Sequence, residues 1–141
     1  MTLLIAFMDD LMFLSRIKEA AAACGMDVRA VREPAGLVEA CRAKRPALVF
    51  VDLDSQRLPV LDGVRALRAN PELASIPVVG FVGHTQVEQA KAAEAAGCTR
   101  VLTRGAFVNE MRTLILQPPA VAGRTEAGLG ATRAAEGPTS D

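Results

Sequence analysis

Aspartates stand together at two places where an apolar run stops. Asp9 and Asp10 end the run 3–8, and Asp52, with Asp54 two residues on, ends the run 47–51. Carboxylates brought close repel one another unless a proton or a cation sits among them, and an oxygen-only donor set with open positions suits Mg²⁺. A carboxylate in such a setting can also attack phosphorus while nearby cations neutralise charge on the transferring oxygens. A plainer reading stays open, in which Asp9 or Asp10 caps a helix and Asp52 and Asp54 shape a turn. His84, the only histidine, follows a further apolar run. It reads either as a phosphoryl or metal contact or as a solvated loop residue.

Elements that could hold these residues follow from the periodicity. Residues 3–8, 26–31, 47–51, 76–82 and 98–103 read as strands, and 47–51 is the most continuous buried-strand signal. Between them, Leu14, Ile17 and Ala21, then Leu37, Val38 and Cys41, then Leu61, Val64 and Leu67, recur at helical spacing. An Ala-rich helix over 85–96, with Val87 as its only larger apolar anchor, and a last helix striped by Phe107, Met111, Leu114 and Ile115 complete five strand-helix units. Strands alternating with helices through short connections require a parallel sheet. The expected fold class is therefore α/β, a five-stranded parallel sheet with helices on both faces, doubly wound. Ligands of such sheets bind beyond the carboxyl ends of the strands, which is where both acid groups fall.

The 141 residues suffice for one core, assigned to 1–117. From Pro118 the composition turns to Pro, Gly, Ala, Thr and scattered charge. A flexible, disordered tail over 118–141 is expected, because such a segment buries too little to offset its ordering entropy. Sixteen basic residues balance sixteen acidic ones. No long-range field then draws the chain to nucleic acid or to an anionic membrane. Cys24, Cys41 and Cys98 are odd in number and widely spaced, which fits reduced thiols in a cytoplasmic protein rather than a disulfide framework or zinc site. The opening run meets Asp9 too soon to be a signal peptide or a membrane span.

The order of these motifs resembles the receiver domains of two-component response regulators, the CheY-like (βα)5 fold. The resemblance rests on Asp9-Asp10, Pro46-Ala-Leu-Val-Phe-Val-Asp52, Pro59-Val-Leu-Asp62-Gly63, Pro77-Val-Val-Gly-Phe-Val-Gly83 and Ala95-Ala96-Gly97, and covers about residues 3–116. It implies a phosphoacceptor at Asp52 that takes a phosphoryl group from a histidine kinase. It also implies Mg²⁺ held by Asp10, by Asp9 through water, by Asp52 and by the backbone carbonyl of Asp54.

Four departures weaken the switch that the resemblance implies. Val82 stands where the family has a Ser or Thr, and a valine donates no hydrogen bond. Arg104-Gly105 stands for the family's Lys-Pro, a planar fork for a compact ammonium. Val101 replaces an aromatic residue, and Pro59 lies seven residues after Asp52 where the family has four. The expected function is a non-catalytic pseudo-receiver that acts through protein–protein interaction, with a histidine kinase or a downstream effector as partner and a homodimer as a further option. The alternative is a working phosphorelay receiver. A nucleotide- or flavin-binding enzyme on the same sheet is disfavoured, because the first strand-helix turn, Met8-Asp9-Asp10-Leu11, is acidic and has no glycine-rich phosphate loop.

Overall fold

The computed structural model describes residues 2–121. Strand and helix alternate as β1 (Thr2–Phe7), α1 (Leu11–Ala23), β2 (Met26–Val31), α2 (Pro34–Ala43), β3 (Leu48–Asp52), α3 (Val60–Arg68), β4 (Val78–Val82), α4 (Val87–Ala96), β5 (Arg100–Thr103) and α5 (Arg104–Leu116). A single 3-10 turn, Pro71–Leu73, lies between α3 and β4. The five strands form one parallel sheet in the order β2-β1-β3-β4-β5. The order reverses beside β1, so a crevice opens over the carboxyl ends of β1 and β3. The expected α/β doubly wound sheet is the observed one. Past residue 121, the expected flexible tail lies outside the described residues.

The sheet separates two apolar layers. On one face Leu14, Ile17 and Ala21 of α1 and Phe107, Met111, Leu114 and Ile115 of α5 cover Leu4, Ala6, Phe50 and Phe81. On the other, α2, α3 and α4 cover Ile5, Phe7, Val49, Val51 and Val78. Strands β3 and β4 are buried at every position, as expected of central parallel strands. Phe7 turns away from the other phenylalanines and lies so close to α3 that a Cβ on Gly63 would collide with its ring.

Several element limits differ from the periodicity, for local reasons. β3 takes in Asp52, which pairs with Phe81. α4 begins at Val87 because Gln86 N–H closes a turn onto the Gly83 carbonyl at 2.9 Å. α5 begins at Arg104, ahead of its apolar stripe, because Thr103 Oγ1 accepts from Ala106 N–H at 3.2 Å and caps it. The expected anchoring of α4 by Val87 is not what is seen. Val87 is 56% exposed, and the helix buries only Ala93 and Ala96. Two buried methyl groups contribute about 0.8 kcal/mol each, against roughly 1.5–3 kcal/mol for each Leu, Ile or Phe that holds the other helices.

Arg68, the last residue of α3, fastens the far end of this layer. Its Nε donates to the Gly97 carbonyl at 2.8 Å, Nη1 to the Ala74 and Ile76 carbonyls at 2.9 Å each, and Nη2 to Thr99 Oγ1 at 3.2 Å. Gly97 is required where it stands: its φ is +124°, and a Cβ there would run into Arg68 Cγ. One guanidinium thus joins α3, the approach to β4 and the α4–β5 connection.

Candidate functional site

The crevice above β1 and β3 is furnished by three connections. The β1–α1 connection brings Asp9 and Asp10, the β3–α3 connection brings residues 53–59, and the start of α5 brings Arg104. Asp10 turns back on its own helix, and its Oδ1 accepts from Phe13 N–H at 3.0 Å as the N-cap of α1. Asp9 accepts from Ser55 Oγ at 3.1 Å. Ser55 Oγ also accepts from Leu58 N–H at 3.2 Å, so the lengthened loop is folded onto the crevice by its own side chain.

Asp52 is 3% exposed, the one buried charged residue among those described. Its Oδ1 accepts from Asp54 N–H at 3.0 Å. Arg104 Nη2 donates to both of its oxygens, at 3.1 and 3.3 Å. The same guanidinium donates through Nε to Asp54 Oδ2 at 3.1 Å, and Gly83 N–H donates to that oxygen at 2.9 Å. Arg104 also lies over two aromatic rings, 5.0 Å from the Phe13 centroid and 5.2 Å from that of Phe81. Such a contact adds to the ionic one where water is scarce. The rings are themselves packed, with Phe13 and Phe81 centroids 4.6 Å apart.

These contacts set the charge state of Asp52. Burial raises its pKa above the usual carboxylate range. The Asp54 N–H and the Arg104 guanidinium pull it down, and the charges of Asp54 and Asp10 push it up, with burial the largest influence and the rise prevailing.

The sequence-derived site residues fall as follows. Asp52, Asp54 and Arg104 are brought together directly, with Asp9 and Asp10 on the neighbouring connection. Asp54 engages through its carboxylate as well as its carbonyl, which accepts from Gln56 Nε2 at 3.4 Å. Val82 is buried at the end of β4 and packs into the layer under α2 to α4, as does the half-buried Val101 of β5. His84 is exposed. Beside the Asp54–Arg104 pair, a cleft of about 490 Å³ is lined by residues 53–56, Gly83, Gln86 and Gln89. Cys24, Cys41 and Cys98 are free thiols, and burial pushes Cys41 up to about 11 and Cys98 up to about 12, which leaves both inert. No described helix is long and apolar enough to cross a membrane.

Mg²⁺ requires oxygens that converge with lone pairs free. Here Asp10 spends an oxygen on its helix, Asp9 is bonded to Ser55, and Asp52 and Asp54 face a guanidinium. Among the described residues no three His, Cys, Asp or Glu side chains form a group able to hold a metal ion. As arranged, the donor set does not fit a divalent cation.

Phe13, Phe81, Ser55 and the Gly83 amide belong to this site without having been singled out in the sequence. Phe13 lies three residues after the capping Asp10, and Phe81 pairs with Asp52 across the strands. Only the second relation had a sequence signal, since both residues stand near the ends of adjacent apolar runs.

No family model matches the chain, and no curated protein matches it. Solved structures do. A signal receiver domain of a signal transduction histidine kinase from Syntrophus aciditrophicus is 16% identical, with a TM-score of 0.71 over 95% of this chain and 99% of that one. The receiver domain of a sensor histidine kinase from Pseudomonas aeruginosa PAO1, solved with a magnesium ion coordinated in its active-site cleft, is 17% identical, with a TM-score of 0.69 over 82% and 95%. The receiver domain of NtrX from Brucella abortus is 21% identical, with a TM-score of 0.63 over 83% and 99%. Sheet order, helix placement and these likenesses agree that the chain has the fold of response-regulator receiver domains.

Proposed function

We propose that the chain is a cytoplasmic receiver-type signalling module that works by docking to a partner protein, without catalysis and with its phosphorylation switch impaired. The observation that carries this reading is the Arg104 fork. It bonds both oxygens of Asp52 and one of Asp54, so the carboxylate that would attack phosphorus is already engaged. Val82 offers no hydroxyl to bind a transferred phosphoryl group. The partner is a histidine kinase or a downstream effector, and the surface formed by α4, β5 and α5 suits it, because α4 leaves most of its side chains free of the core. Pairing of two copies through that surface is an option of the same kind.

The second reading, Asp52 as a working phosphoacceptor, draws on its place at the end of β3. In that reaction an Asp52 oxygen would attack phosphorus of the donor, and the bond to the leaving group would break, P–O with release of acetate from acetyl phosphate or P–N with release of the imidazole from a phosphohistidine. Incubation with acetyl phosphate and Mg²⁺ followed by intact-mass measurement separates the two. The expected outcome is an unchanged mass. A gain of one phosphoryl group that disappears in Asp52→Asn would overturn the impaired-switch reading.

A further inference from the structure

The two acids at the end of β3 already have a cation, and it is covalently part of the chain. We infer that Arg104 is the resident counter-ion of the Asp52–Asp54 pair and excludes divalent metal from the crevice. The inference concerns cation choice alone and stands whether or not the chain signals through a partner.

Its basis is geometric. Nε and Nη2 lie on one edge of the guanidinium and reach Asp54 and Asp52 respectively, at 3.1 Å each, so a single planar group spans both carboxylates. A lysine ammonium has no such edge. The group is held against Phe13 and Phe81 at 5.0 and 5.2 Å, and its stem springs from the first residue of α5, which Thr103 caps. An ion from solution competes with a cation whose local concentration is fixed by a short tether. Displacement would also strip the ion of water and leave the guanidinium without its two acceptors.

The test is a Mn²⁺ titration followed by loss of the free-ion EPR signal, on the parent chain, Arg104→Met and the double variant Arg104→Met/Asp52→Asn. Arg104→Met should bind Mn²⁺ at least about tenfold more tightly than the parent, and the double variant should lose that gain. Equal affinity in the parent and Arg104→Met would overturn the inference, as would a folded Arg104→Met that gains nothing. Arg104→Lys keeps one charge but cannot span both acids, and it serves in the same terms should the methionine variant fail to fold. The phosphorylation outcome is separate, because a chain that takes no phosphoryl group can either bind or refuse Mn²⁺.

Discussion

Two arginines anchor opposite ends of this molecule, and they do so with different acceptors. Arg68 gives its donors to three backbone carbonyls and a threonine hydroxyl. Arg104 gives its donors to two carboxylates. Neutral acceptors do not titrate, so the Arg68 clasp is a fixed structural joint; burial lowers the Arg68 pKa, and the nearby Cys98 thiol only partly offsets that. Carboxylates titrate, so the Arg104 clasp is conditional on pH. Similar side chains thus make a staple at one end and an electrostatic plug at the other.

Substitution of the two should separate those roles. Arg68→Met leaves three backbone carbonyls without their donor, while Thr99 Oγ1 keeps the Val78 N–H, and should cost about 3–4 kcal/mol in urea unfolding. That loss should be the same at pH 7 and pH 5. A loss that shrank on acidification would mean that Arg68 answers a carboxylate after all. Arg104→Met should cost less, about 1–2 kcal/mol at pH 7, since the Arg104 side chain is 35% exposed and solvent screens part of the interaction. Its cost should fall as the medium is acidified and Asp52 takes up a proton, and unfolding curves at several pH values would show this.

Asp52→Asn should have the smallest effect. The Asp52 pKa is raised in the fold, so its charged form is disfavoured there. That penalty is fully present above the raised value and is relieved as pH falls through it toward the unfolded value. The asparagine variant should therefore be slightly more stable than the parent at pH 7, by under about 1 kcal/mol, with the difference vanishing at low pH. A clear loss of stability at pH 7 would show that the Arg104 pairing outweighs the burial of Asp52.

Most of the fold was legible because each layer has a period. Runs such as 47–51 could only be central strands, and the stripe Leu14, Ile17, Ala21 could only be a helix face. Both acid groups were placed at the correct strand ends by the same reasoning. What the sequence withheld was pairing across distance: Arg104 meets Asp52 over 52 residues, and no local pattern tells a free base from one already engaged. The role of Asp10 was open between cap and ligand, and the Phe13 N–H bond shows it capping α1. Val87 misled because an apolar residue in a helix pattern says nothing of which turn reaches the core, and this one stands at the solvent-facing first turn.

Helix α4 rests on two buried alanines, while the central strands β3 and β4 are buried throughout. Its detachment exposes little apolar surface, so it is the cheapest element of the sheet's second face to open without unfolding the rest. Native-state opening would then form a hierarchy, in which α4 amides exchange with solvent through local events and those of β3 and β4 only through global ones. A domain organised this way can reshape one flank to fit what it meets, while the crevice and its arginine keep their form.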